Sequence, residues 1–292
     1  MTTILYFVFE VVSRMLCILP KRAIYIVADF LYIIAYYVVQ YRKKVVFENL
    51  RNSFPEKTEK DIKVIAKKFY RHLGDIIVEN IAILNMKPKK VMKFITVKNI
   101  EVVNKLHEKG KNSIALTGHY GNWEFLTTLS EYTPYKILSV YKPLRNKFFD
   151  RKVYEMRKRF SAIPVPMKEV YKAIIRQQKQ NKPYIMGLVA DQCPPKKNIN
   201  YWTTFLNQET PFFTGAEKIT RKFNNAAVFT IVKKKKRGWY EIEFKLMSED
   251  TKKFKETGVT EKYARLLEEQ IISQPEYWLW SHRRWKHTPK KN

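Results

Sequence analysis

The sequence predicts an α/β protein with a largely parallel central sheet flanked by helices, preceded by an apolar helical segment. Three observations carry this. After residue 100, short apolar runs alternate with helical stretches, the pattern of strands buried on both faces. Before residue 100, apolar residues recur at helical spacing, and the first 41 residues are almost continuously apolar. With 292 residues, 45% of them hydrophobic, the chain can bury a sizeable core and is too apolar for a disordered one.

Taken in order, residues 4–19 are apolar except for Glu10, Ser13 and Arg14, and residues 23–39 are apolar apart from Asp29. No positive residue precedes the first run and no small-residue cleavage site follows it, so neither run makes a good signal peptide. Each run is near ~17 residues, the lower limit for crossing a bilayer. Glu10, Arg14 and Asp29 make a clean span costly. Lys21, Arg22, Arg42, Lys43 and Lys44 flank the second run on both sides and select no orientation. A segment embedded in, or lying on, a membrane is the preferred reading, with a buried helical hairpin of a soluble domain as the alternative. The expected organisation is therefore a membrane-associating segment at 1–41 and one domain at 42–292.

Residues 42–95 read as helical, with Ile62, Ile65, Phe69, Leu73, Ile76 and Ile77 near helical spacing. Thr58 and Asp61 offer a capping box at the start. "SIALTG", "KILSVY" and "YIMGLVAD" read as buried strands, each running into a polar turn. "AAVFTIVK" and "WYEIEFKL" frame a hairpin. In its second strand Tyr240, Ile242, Phe244 and Leu246 alternate with Glu241, Glu243 and Lys245, which predicts one wet face. The intervening KKKKR run reads as a solvated turn. Ligands of such sheets bind outside the carboxyl ends of the strands. Three polar sets fall there: residues 118–124, 141–146 and 191–192.

Lysine and arginine number 56 against 27 acidic residues, a net charge of +29 that calls for anionic partners: a phospholipid surface, nucleic acid or an acidic protein. Cys17 and Cys193 are the two cysteines, so neither a disulfide framework nor a zinc cluster follows, and a reducing compartment suits the chain.

The sharpest local signal is "NSIALTGHYGNWEF" at 112–125, an apolar strand entering a glycine-bracketed turn. His119 and Glu124 form an H-x4-E pair. Five residues along a continuous helix is about 140° around its axis, so there the pair would not meet. A turn through Gly121 and Asn122 brings them together. A carboxylate bonded to one imidazole nitrogen fixes the tautomer and leaves the other nitrogen as a base. The alternative is a structural histidine. Metal ligation has no HExxH and no nearby cysteine and histidine set behind it. Lys142, Arg145 and Asn146 follow a strand, where they either hold a phosphate or form a solvated basic turn. Asp191 has three readings: binding a substrate hydroxyl, holding Arg159, or capping a turn. In the tail "WLWSHRRWK", Trp278, Trp280 and Trp285 mix with Arg283 and Arg284, which suits a membrane interface or stacking beside the site. As a nucleic-acid signature it is nonspecific.

"TGHYGNWE" resembles the H-x4-D/E motif of glycerolipid acyltransferases, in the form typical of the lipid A late acyltransferases, the lauroyl and myristoyl transferases. Further matches run in order: "YKPLRNKFFD", "MRKRF", "ADQ" at 190–192, "FLNQETPFFTGA" and "PEYWLWSHRRWK". The resemblance spans most of the chain and departs at Ser161 and Asn207, where the family usually has glycine. It implies a glycerolipid-acyltransferase-like fold. It also implies transfer of a fatty acyl chain from a thioester, acyl carrier protein or acyl-CoA, to a hydroxyl of a lipid. The acceptor expected is a lipid A precursor or related glycolipid. The alternatives are a lysophosphatidic acid or amino-acid-lipid acyltransferase and a noncatalytic basic membrane-binding protein. By the same resemblance, His119 is expected to take the hydroxyl proton and Glu124 to orient the imidazole. Lys142, Asn146, Arg159, Asp191 and Gln192 are the expected substrate-binding residues. Neither metal nor cofactor is expected. The partners implied are acyl carrier protein, the lipid acceptor and the membrane, with no nucleic acid, at the cytoplasmic face of the bacterial inner membrane.

Overall fold

Two apolar helices open the chain in the computed structural model, which describes residues 2–288. They are α1 (Thr2–Ile18) and α2 (Lys21–Ile33), the second running on through a π-helical turn at Ile34–Val38. Gln40 and Arg42, both in the left-handed region, break the helix, and α3 (Lys43–Ser53) leaves at 87° to it. α4 (Glu59–Ile83) starts at the predicted capping box: Thr58 Oγ1 accepts from the Asp61 N–H at 3.2 Å, and Asp61 Oδ2 accepts from the Thr58 N–H at 3.2 Å. Then come α5 (Pro88–Met92), β1 (Ile95–Val97), α6 (Glu101–Glu108), β2 (Ser113–Thr117), β3 (Lys136–Tyr141), α7 (Lys147–Arg159), β4 (Ile163–Pro166), α8 (Val170–Lys179) and β5 (Tyr184–Val189). A small hairpin of β6 (Trp202–Phe205) and β7 (Gln208–Pro211) follows, then α9 (Gly215–Lys222), β8 (Ala226–Lys236), β9 (Trp239–Ser248) and α10 (Gly258–Ser273).

Seven strands form one sheet in the order β1-β9-β8-β2-β5-β3-β4, and of its neighbouring pairs only β8–β9 is antiparallel. The largely parallel sheet follows from apolar runs buried on both faces. In β2, Ile114 and Leu116 enter one core with α10, while Ala115 enters the other with Val78 and Ala82 of α4. The five strands predicted from apolar runs are all present. The edge strands β1 and β4 are three and four residues long, too short to register as periodicity, and β4 contains two prolines that its edge position tolerates.

The N-terminal helices share this core. Leu16, Ile24 and Ala28 pack with Val78 and Ala82, and Tyr36 packs with Leu50 and Tyr70, so the predicted boundary at residue 41 separates no second core. Their outer faces stay apolar and uncovered: Phe7 and Ile26 are each 69% exposed and Phe30 is 61%. Among the described residues no single helix is long and apolar enough to cross a membrane.

The hairpin corrects two expectations. The KKKKR turn is not simply solvated, because the buried Asp75 and the part-exposed Asp29, from other elements, claim its side chains. Lys234 Nζ lies 2.7 Å from Asp75 Oδ2, and the Arg237 guanidinium forks onto Asp29 at 2.7 and 2.9 Å while also reaching Asp75. The wet face of β9 is incomplete as well. A bulge opposite Ala227 and Val228 inserts one residue, so Met247 turns inward and Leu246 outward, and Glu241 is buried beside Lys98.

Ser161 and Asn207, which stand where the resemblance expects glycine, have φ of +58° and +61°. These positions ask for the left-handed region, which glycine enters without cost and asparagine tolerates. Leu206 (φ +49°) and Asn207 together make the tight turn between β6 and β7, and Asn207 Nδ2 donates to the Ser53 carbonyl at 3.0 Å.

Candidate active site

Register builds the site. β2 and β5 are parallel neighbours with Thr117 opposite Val189, and the Ala190 N–H extends the ladder to the Thr117 carbonyl at 3.1 Å. Two residues beyond each of those partners stand His119 and Asp191, so the ends of the two strands deliver an imidazole and a carboxylate side by side. Gly118 permits the approach. A Cβ there would stand 2.6 Å from Leu267 Cδ1 and 3.2 Å from Asp191 Oδ2.

Asp191 receives three hydrogen bonds. His119 Nδ1 lies 2.5 Å from Oδ1, while Oδ2 accepts from the His119 main-chain N–H at 2.8 Å and from the Trp278 indole N–H at 2.7 Å. Burial pushes the Asp191 carboxyl up, but the imidazole charge and these donors outweigh it and bring the pKa to about 2. An ionised carboxylate only accepts, so Nδ1 carries a proton and Nε2 presents a lone pair. Burial pushes the imidazole toward its neutral form, but the Asp191 charge and hydrogen bond more than reverse this, and its pKa lies above that of ordinary histidine. At Nε2 stands the exposed amide nitrogen of Gln192, 3.2 Å away. The Trp123 ring covers the imidazole edge-on at 4.9 Å. This arrangement can take a proton from a group that replaces the Gln192 amide at Nε2, and it can hold the resulting charge.

The C-terminal segment closes the back of the site. Leu279 N–H donates to the His119 carbonyl, Gly121 N–H donates to the Tyr277 carbonyl, and Tyr120 pairs with Trp278 as in an antiparallel bridge. Each indole N–H of the tail is satisfied: Trp278 by Asp191, Trp280 by the Pro275 carbonyl and Trp285 by Thr210. Arg284 is fully buried with its guanidinium 4.5 Å from the Phe212 ring centre, and burial lowers its pKa to about 10. The tail is therefore packed inside the fold beside the site.

Three expected roles need correction. Glu124 does not reach the imidazole. It lies in the first turn of the 3₁₀ helix Trp123–Glu131, where its carboxylate meets Arg157 Nη2 at 3.3 and 3.5 Å, and it influences His119 through charge alone. The turn through Gly121 and Asn122 exists, but Asp191 already occupies the Nδ1 side that Glu124 would need. Arg159 is not held by Asp191 and lies elsewhere. Its Nη2 donates to the Ile83 and Leu84 carbonyls, closing the C-terminal end of α4. The arginine that reaches the Glu124 carboxylate is Arg157, two residues earlier. Asn146 caps α7, its Oδ1 accepting from the Phe148 and Phe149 N–H groups, while its Nδ2 donates to Tyr6 of α1. Lys142 is exposed on the loop after β3, one strand away from Asp191. Among the described residues no group of three or more His, Cys, Asp or Glu is placed to hold a metal ion.

The family model described as bacterial lipid A biosynthesis acyltransferase matches residues 1–287. No curated protein sequence matches the chain. Among solved structures, the 1-acyl-sn-glycerophosphate (LPA) acyltransferase PlsC of Thermotoga maritima aligns with 88% of this chain and 97% of its own, at 11% identity and a TM-score of 0.39, a likeness too slight to bear on function.

Proposed function

The chain belongs to the bacterial lipid A biosynthesis acyltransferase family and is an acyltransferase acting on lipids; from this premise we propose the donor, the acceptor, the roles of the site residues and the place of work. The donor is the thioester of an acidic acyl carrier protein. The acceptor is a hydroxyl of a lipid A precursor or related glycolipid. The work is done at the cytoplasmic face of the bacterial inner membrane. The observation that carries the mechanism is the His119–Asp191 pair at the ends of β2 and β5.

The acceptor hydroxyl displaces Gln192 at Nε2 and gives its proton to His119 as its oxygen attacks the thioester carbonyl. Asp191 holds the imidazole and stabilises the imidazolium that forms. The tetrahedral oxyanion collapses, the C–S bond breaks, and the thiolate takes the proton back from His119. No covalent bond to the enzyme is needed. Gln192, freed from the imidazole, is a side-chain donor beside Nε2, and the oxyanion needs such donors. Glu124 adds negative charge near the imidazolium, and Lys142 meets an anionic part of the acceptor.

Two experiments test this. The first uses acyl carrier protein thioester and acyl-CoA as rival donors in the same detergent micelles, with ester product followed by mass spectrometry. Opposite charge speeds association and is screened by salt, as the Debye length falls from ~10 Å at 0.1 M to ~3 Å at 1 M. Against a chain of net charge +29, the specificity constant for carrier protein should fall more steeply with salt than that for acyl-CoA. Equal slopes, or better turnover with acyl-CoA at every salt, would overturn the donor assignment.

The second concerns attachment to the membrane, which the uncovered apolar faces of α1 and α2 support. Deleting residues 1–41 would strip the core, so exposed residues are changed instead. Phe7→Glu, Ile26→Glu and Phe30→Glu combined should move the folded protein from the membrane pellet to the supernatant. Burial of each apolar side chain in lipid is worth roughly 1.5–3 kcal/mol at most, so tenfold or more release is expected. Unchanged retention would shift anchoring to the basic surface.

A further inference from the structure

Glu79 of α4 is a buried carboxylate that the mechanism does not use. Its Oε1 accepts from the Tyr25 hydroxyl of α2 at 2.9 Å. Its Oε2 accepts from Asn122 Nδ2 and from the Tyr240 hydroxyl of β9, both at 2.8 Å. Asn122 is fully buried and ends the turn that begins at His119. The main chain of that turn is tied to Tyr277 and Leu279 on one side, while among the described residues its Asn122 side chain is held by Glu79 alone. Gly121, at φ +59°, leaves a Cβ position only 3.0 Å from Val232, so the turn has no slack on that flank either.

Burying a carboxylate is costly, and a hydrophobic side chain of similar volume would satisfy packing alone. What a carboxylate offers here is acceptance of three hydrogen bonds at once, from three separate elements. We propose that Glu79 is a positioning residue for acyl transfer, holding the His119 turn through Asn122 and joining that turn, through Tyr25, to the helix whose outer face is apolar. It acts through Asn122 and never touches substrate. Loss of the link lets the turn shift, and a shift of about 1 Å at a reacting group costs on the order of 100-fold in rate.

The inference rests on His119 being the base, so His119→Ala is measured beside the test variants. Glu79→Ala, Asn122→Ala, their double variant and Glu79→Gln are assayed in mixed micelles for kcat and acceptor KM, normalised to folded protein. Glu79→Ala and Asn122→Ala should each lower kcat by roughly 10–100-fold while KM stays within about threefold. The double variant should be no slower than the slower single one, because both remove one link. Glutamine keeps an acceptor for Asn122 and Tyr240, and the Tyr25 hydroxyl can turn to accept from its amide, so Glu79→Gln should restore most of kcat. Wild-type kcat in folded Asn122→Ala, multiplicative losses in the double variant, or a folded Glu79→Gln as slow as Glu79→Ala would each overturn the role. If His119→Ala is inactive and Glu79→Ala matches wild type, the positioning role alone falls. Activity in His119→Ala would remove the functional reading itself.

Discussion

His119→Ala is expected to reduce acyl transfer by at least about 10²–10⁴-fold at pH 8, the contribution typical of a positioned general base, while the protein stays folded. The reason it should fold lies in the hydrogen bonds that survive. Removing the imidazole deprives Asp191 of one donor, yet the His119 main-chain N–H and the Trp278 indole still hold the carboxylate at 2.8 and 2.7 Å. Asp191 keeps two of its three donors, so at pH 8, where the imidazole is largely neutral, the stability loss should stay near the ~1 kcal/mol of a single hydrogen bond plus some lost packing against Trp123. The comparison to make is kcat with the carrier-protein thioester, on samples whose thermal unfolding is cooperative. Folded His119→Ala with near-normal turnover would end the proposal that this histidine takes the acceptor proton.

The central strands were legible because parallel strands covered on both faces are written as unbroken apolar runs, and the capping box of α4 because its two members are three residues apart. His119 stood out for a similar reason, since the glycines that shape its turn are local. Its partner was not local. Asp191 reaches Nδ1 because β5, 72 residues on, is the neighbour of β2 with Thr117 opposite Val189, and pairing order and register are written in no single stretch. The spacing His119 to Glu124 was visible and suggested a contact. The fold turned Glu124 toward Arg157 instead.

Charge misled in the same way. KKKKR reads as solvated when nothing nearby in sequence can neutralise it, yet Asp29 lies 208 residues from Arg237 and Asp75 lies 159 from Lys234. Acids far away in the chain drew two of those cations inward. Arg159 and Asn146 show the converse: both fell in matched segments beside site residues, and both are spent on closing helix ends.

Asp191→Asn is expected to lower the plateau of kcat/KM by about 10²–10⁴-fold and to move its acid limb to lower pH. The two effects have separate causes. Asparagine can present its amide N–H to Nδ1, which forces the proton onto Nε2 and removes the lone pair that must accept from the hydroxyl, so the plateau falls. The limb follows from charge. In the wild type the ionised Asp191 holds the imidazole pKa above the ordinary 6.5, so the neutral, competent base is lost as pH falls through a value above 6.5. Without that carboxylate, burial is the dominant influence left, and it favours the neutral ring, so competence persists to lower pH. The ratio of variant to wild-type rate should therefore rise from pH 8 to pH 5.5. Glu124→Gln provides the contrast, since Glu124 acts on the imidazole through charge without a hydrogen bond. It should shift the limb in the same direction by less and leave the tautomer intact. Rate profiles from pH 5 to 9 on folded variants in mixed micelles decide between the two carboxylates. If Asp191→Asn kept the wild-type plateau and limb while Glu124→Gln lost both, Glu124 would be the partner of His119 during turnover, and the Asp191 contact would be reduced to a means of holding the strand end in place.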